Sequence, residues 1–273
     1  MGENRSLLQL SGINKIFSRG TVDEITALDN IELKVNAEDF ITIIGSNGAG
    51  KTTLLNVIAG VYPPERGGEI IVNGRDITNL SEHRRAQYIG RVFQDPHIGT
   101  AAKMTIEENL AMAILRGQRR GLNIATNKQR RELFCSVLAP LGLELEKRLT
   151  APVGTLSGGQ RQALALVMAT MSKPSLLLLD EHIATLDPRT AQIVLDLSEM
   201  IVQREKMTTI MVTHNMEIAL RYGNRLVMMH KGRIVVDLDQ KQRSNLTIND
   251  LMVAFERASG EQFADDSILL REK

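Results

Sequence analysis

The chain has 273 residues, 43% apolar and 24% charged, with 33 Lys plus Arg against 32 Asp plus Glu and a formal net charge of +1. This composition excludes a disordered, collagen-like or coiled-coil chain, and the balanced charge excludes a global field that would draw the chain onto nucleic acid or anionic lipid. A single cysteine, Cys135, excludes an internal disulfide, and no apolar run reaches the roughly 18 residues of a membrane span, so a reducing compartment is expected and any work at a membrane passes through a partner.

Residues 7–12 and 31–36 alternate as half-buried antiparallel strands do, and Ile70-Ile71-Val72 before Asn73-Gly74 reads as a hairpin strand. Ile41-Thr42-Ile43-Ile44 is instead β-branched throughout; Gly45 ends it and an amphipathic helix over Lys51–Ala59 follows, a strand, loop, helix unit. From about 95 to 160 the texture changes to helix formers, as in Ile106–Leu115 and Lys128–Leu138, with breaks at Gly117, Gly121 and Pro140, which predicts a helical insertion. Its basic residues Arg116, Arg119, Arg120, Lys128, Arg130 and Arg131 carry no interleaved aromatics and read as a solvated helical face. Apolar strands at 175–179, 208–212 and 226–229 alternate with helical patterns near 158–171, 188–204 and 215–222, the pattern of an α/β sheet covered on both faces. Residues 241–273 read as a short helical C-terminal extension.

Gly45-Ser46-Asn47-Gly48-Ala49-Gly50-Lys51-Thr52 fits G-x-x-x-x-G-K-[ST] between a strand and a helix. Three glycines let the backbone turn its N–H groups onto an anion, the helix adds its positive dipole end, and Lys51 supplies a charge for β- and γ-phosphates. Thr52 is placed to ligate magnesium. Leu176-Leu177-Leu178-Leu179-Asp180-Glu181 puts two carboxylates at the end of a buried strand, where α/β sheets bind ligands. Alone this is as readily a plain strand-to-loop exit as a site. Beside a phosphate loop, one carboxylate can hold a magnesium shell while the other orients or deprotonates the attacking water.

Thr155-Leu156-Ser157-Gly158-Gly159-Gln160 followed by a helix completes a set that resembles the nucleotide-binding subunits of ATP-binding-cassette (ABC) transporters over nearly the whole chain. The resemblance implies a P-loop, ABC-type ATPase of the α/β class: a mixed core sheet, an N-terminal antiparallel β subdomain and an inserted α-helical subdomain. It implies an ATPase domain over residues 5–240, with the insertion at about 95–160. In that light Phe17 resembles the ring that stacks on adenine, against the alternative of a core residue closing the first hairpin. Gly45 to Thr53 hold the phosphates, with Thr52, Gln94 and Asp180 around Mg2+. The resemblance implies Glu181 as the general base, with His214 and Lys51 at the γ-phosphate. Asp187 resembles the D-loop aspartate. A glycine-rich helix start at Ser157, Gly158, Gly159 and Gln160 is a second anion site, which the family uses head to tail across a dimer.

One departure is His182, where a proline usually follows the catalytic glutamate. It is expected to set a titratable ring beside that carboxylate and to reshape the D-loop. The resemblance further implies ATP and Mg2+ as cofactors, transmembrane permease subunits as partners, and a second copy or a sister ABC subunit. It also implies a peripheral location on the cytoplasmic face of a bacterial inner or plasma membrane. A cassette without a fused membrane domain resembles bacterial solute importers, with an external solute-binding protein in the same system and amino acids or similar small organic solutes as cargo. The rival is a soluble ABC ATPase acting on nucleic acid or the ribosome. The lack of a coiled-coil insertion, of a second cassette and of a basic stripe argues against it, and no direct nucleic-acid partner is expected.

Overall fold

A computed structural model of the chain describes residues 6–117 and 126–260. Its strands are β1 Ser6–Phe17, β2 Ile25–Asn36, β3 Phe40–Ile44, β4 Glu69–Val72, β5 Arg75–Asp76, β6 Ile89–Val92, β7 Leu176–Asp180, β8 Thr208–Val212, β9 Arg225–His230 and β10 Arg233–Leu238. Its helices are α1 Lys51–Ala59, α2 Glu82–Arg85, α3 Ile106–Ile114, α4 Lys128–Leu138, α5 Gly158–Thr170, α6 Pro188–Glu205, α7 Met216–Arg221, α8 Gln240–Arg243 and α9 Ile248–Ser259. The chain divides into two compact units, residues 1–85 with 207–273, and residues 86–206. Arg119 and Arg120 of the basic insertion, and residues 261–273 of the C-terminal extension, lie outside the described residues.

In the first unit, β2, β1, β4 and β5 form an antiparallel sheet with Leu8 opposite Val72 and Leu10 opposite Ile70. β1 and β2 run longer than their alternation suggests because register shifts, one of them between Leu10 and Ile13, break the period of two while Ile13 stays buried. A second sheet runs in the order β10, β9, β3, β8. β9, β3 and β8 are parallel and β10 is antiparallel at the edge. Every residue of β3 and β8 is buried, which is why these strands read as continuous β-branched and apolar runs. β10 escapes sequence reading because it is half-exposed along its length and shows no alternation.

The extension packs α9 through Leu251 and Phe255 onto Ile44, Met216, Ala219, Leu226 and Met228. Burial of those two side chains contributes about 1.5–3 kcal/mol each. His230 meets the Phe255 ring edge to face at 5.2 Å.

In the second unit β6 and β7 pair in parallel, Ile89 opposite Leu176 and Val92 opposite Leu179. β6 is hard to anticipate because Gly90 and Arg91 interrupt its apolar run. The helices α3, α4, α5 and α6 belong to this unit, α3 opening on a capping box between Thr105 and Glu108. Among the described residues no helix is long and apolar enough to cross a membrane.

Candidate functional site

The phosphate loop leaves the end of β3 and closes on itself through its lysine. Lys51 is buried, and Nζ donates to the carbonyl oxygens of Gly45 at 2.6 Å and Ser46 at 3.1 Å. Ala49 N–H donates to Ser46 O at 3.1 Å, and Gly232 N–H donates to Ala49 O at 3.1 Å, tying the loop to the turn between β9 and β10. Gly50 sits at φ 97°, and a Cβ there would lie 2.4 Å from Ala27 O, so both conformation and space require glycine. α1 begins at Lys51 with no side-chain cap and no acidic residue in its first turn, so its N-terminal amides are not capped from within the helix. Asn47, Gly48 and Thr52 are exposed, Ser46 and Thr53 half-buried. A glycine-rich turn into a helix N-terminus of this shape can cradle an anion.

The far end of α1 is closed by a residue absent from the sequence reading. Arg85 is 1% exposed, and its Nη1 donates to Val57 O at 2.7 Å and Ile58 O at 2.8 Å. Its Nη2 donates to Thr78 O at 2.7 Å and its Nε to Leu80 O at 2.9 Å. Burial pulls the guanidinium below its ordinary range.

Phe17 ends β1, half-buried, with its ring 5.2 Å from Tyr62 at 81° and Lys15 Nζ 5.5 Å from its centre. Its strand partner β2 carries Ala27, the residue whose carbonyl lies against Gly50. His214 is exposed beyond β8, and Thr213 N–H donates to Ile43 O at 3.1 Å, so the first unit brings this histidine alongside the strand that feeds the phosphate loop.

The second unit brings the carboxylates and the glycine-rich turn. Asp180 closes β7 with 6% of its surface exposed, and Arg91 Nη2 on β6 donates to its Oδ2 at 2.7 Å. Arg91, also missed in sequence, lies with Cζ 4.6 Å from the centre of the Phe93 ring. Its only sequence signal is a charge inside an apolar strand. Glu181 is half-buried at φ 43°, a left-handed conformation that costs a non-glycine residue about 1 kcal/mol or more and clusters at functional sites. Gln94 is exposed just past β6, whose exit is held by Gln162 Nε2 donating to Phe93 O at 3.0 Å.

Ser157 caps α5: Gln160 N–H donates to its Oγ at 3.3 Å, and Ser157 N–H donates to Gln160 Oε1 at 3.2 Å. The hydroxyl therefore accepts within its own cap and keeps a proton to donate outward. Gly159 packs against α6 so closely that a Cβ would fall 2.1 Å from Thr190 Cγ2. Thr190 N–H in turn donates to Asp187 Oδ1 at 3.1 Å, linking Asp187 to the glycine turn, and hydrogen bonds from the Thr190 hydroxyl and then its amide lower the Asp187 carboxyl.

His182 departs from expectation. Its ring is not an exposed titratable neighbour but buried, 1% exposed, with Nε2 3.0 Å from Ser198 Oγ on α6. Because Ser198 Oγ donates its own proton to Val194 O at 2.7 Å, it accepts from the imidazole, which fixes the neutral Nε2–H tautomer. Burial pulls the ring down to about 4.

Within the second unit, the Gln94 amide and the Asp180 carboxylate are hard oxygen donors of the kind Mg2+ prefers.

Residues 28–184 match the ABC transporter family. The chain is 42% identical to a tyrosine transport ATP-binding protein of Clostridioides difficile, over 92% of this chain and 100% of that protein. It is 35% identical to the methionine import ATP-binding protein MetN of Bartonella henselae, over 85% of this chain and 65% of that protein. Among solved structures, the dimeric post-hydrolysis state of the ATP-binding cassette MJ0796 bound to ADP and Pi superposes with a TM-score of 0.73 at 26% identity, covering 85% of this chain and 98% of that one.

Proposed function

The chain belongs to the ABC transporter family as an ATP-binding, ATP-hydrolysing subunit, and from that premise we propose that it powers the import of an amino acid or similar small organic solute through a separate membrane permease. Cassettes of this family work with permease subunits and dimerise. The observation that carries the reading is the α5 turn, Ser157 to Gln160, tied through Gly159 and Thr190 to Asp187. A phosphate-loop kinase has no use for such a second anion site. The choice of solute is supported by the relatives named for tyrosine transport and methionine import.

In this reading the loop amides and Lys51 bind the β- and γ-phosphates, and Phe17 stacks on adenine. Thr52, Gln94 and Asp180 would hold Mg2+, which supplies charge neutralisation on the phosphates. Glu181 takes the proton of the attacking water, and His214 donates a hydrogen bond to charge developing on the γ-phosphoryl group. Ser157 to Gln160 of one subunit close on the ATP held by Gly45 to Thr53 of the other, so nucleotide forms part of a head-to-tail interface. The protein then sits peripherally on the cytoplasmic face of the inner or plasma membrane, with an external solute-binding protein completing the system.

The test is to tag the Glu181→Gln protein, solubilise native membranes with ATP present, and identify by mass spectrometry what purifies with it. A multi-spanning membrane protein, with a solute-binding protein encoded beside it, is the expected result. Ribosomal or nucleic-acid partners without a membrane protein would overturn the reading.

A further inference from the structure

Helix α7 follows His214 directly, and both of its ends are held. At its start Asn215 Oδ1 accepts from Ile218 N–H at 3.1 Å. At its end stands Arg243, the last residue of α8 in the C-terminal extension, with 7% of its surface exposed. Arg243 Nη2 donates to Ala219 O at 2.9 Å, Leu220 O at 2.7 Å and Tyr222 O at 2.9 Å. Ala219 O also accepts from Thr42 Oγ1 on β3 at 3.1 Å. One carbonyl of α7 is thus shared between the strand that feeds the phosphate loop and the C-terminal extension.

Three features make this more than ordinary packing. A buried guanidinium normally meets a carboxylate, yet Arg243 makes no ion pair among the described residues and spends its charge on helix carbonyls, at the negative end of the α7 dipole. Burial lowers its proton affinity, a cost accepted for those contacts. The placement is also built: Asp239 caps α8 by accepting from Lys241 N–H and Gln242 N–H, each at 2.9 Å, which fixes the turn that presents Arg243. Finally, α7 has only six residues, too few to hold its own geometry, so its position follows its anchors.

We propose that Arg243 is a positioning residue for His214: by gathering the C-terminal carbonyls of α7 it sets where the helix begins, and hence where His214 stands relative to the end of β3. Arg85 likewise gathers carbonyls at the C-terminal end of α1. The C-terminal extension is therefore part of the ATPase machinery. The inference rests on the proposed role of His214.

The experiment is steady-state ATP hydrolysis by the full chain carrying Arg243→Ala or Arg243→Lys, each alone and combined with His214→Ala. Arg243→Ala alone lowers kcat roughly 10- to 100-fold while KM for ATP stays within about twofold, and Arg243→Lys recovers part of the loss. On top of His214→Ala, either change alters kcat by less than about twofold, because the residue through which it acts is gone. An equal fractional loss in both backgrounds, or a lowered Tm with unchanged kcat, would overturn the inference. If Arg243→Ala does not fold, Arg243→Lys carries the same comparison, with a partial loss expected only where His214 is present. His214→Ala turning over at the unmodified rate would instead sink the role of His214 and the inference with it.

Discussion

Arg91 Nη2 donates to Asp180 Oδ2 across 2.7 Å, joining neighbouring strands with both side chains about nine-tenths buried. The Asp180 carboxylate is thereby held at the end of β7 by a fixed cation. Arg91→Ala removes this charge-assisted bond between neighbouring strands and should lower unfolding free energy by about 1.5–3 kcal/mol. Urea denaturation measures this, and a loss below about 1 kcal/mol would contradict the structural role.

The approach of Gly159 to Thr190 gives a second test. Gly159→Ala places a Cβ within 2.1 Å of Thr190 Cγ2 and should cost about 1–3 kcal/mol as α5 and α6 are pushed apart. Thr190→Ser removes that methyl while keeping a hydroxyl, and the double variant should regain most of the lost Tm. Equal Tm losses with and without Thr190→Ser would mean the clash is relieved elsewhere.

His182 predicts a pH dependence of stability. Its pKa falls from 6.5 to about 4 on folding, so the unfolded chain binds the proton first as pH drops. Its contribution is complete above about pH 6.5 and is lost progressively towards pH 4, amounting to about 3 kcal/mol. His182→Asn should flatten the stability curve of the protein between those pH values. A variant with an unchanged acid limb would show that the ring is not buried neutral.

Lys51 braces its own loop through Gly45 O and Ser46 O. Lys51→Ala should therefore weaken ATP binding about 10- to 100-fold, the equivalent of one charge-assisted hydrogen bond, and also loosen the loop. Equilibrium binding of a fluorescent ATP analogue reads the first, and amide exchange at residues 45–50 the second. Unchanged affinity would remove Lys51 from the site.

What the sequence makes legible is what lies close along the chain. The strand, loop and helix over 40–59 are readable because β3 is buried on both faces and α1 is bounded by Gly50 and Gly60, both left-handed. The Ser157 cap is readable because its partner Gln160 is three residues away. Arg91, Arg85 and Arg243 are invisible in sequence for the opposite reason. Asp180 is 89 residues from Arg91, Val57 is 28 from Arg85, and Ala219 is 24 from Arg243. His182 misleads by adjacency: it neighbours Glu181 in the chain, but its ring is buried against Ser198 of α6, 16 residues on, a partner that periodicity does not encode.

The most direct measurement of the central claim is the behaviour of Glu181→Gln with ATP, alone and combined with Ser157→Arg. If Glu181 removes the proton from water and the Ser157 turn closes on a partner's nucleotide, Glu181→Gln binds ATP, loses nearly all turnover and runs as a dimer by light scattering. Ser157→Arg in that background keeps ATP affinity and returns the protein to a monomer. Normal turnover by Glu181→Gln, or an ATP-dependent dimer that survives Ser157→Arg, would contradict the account.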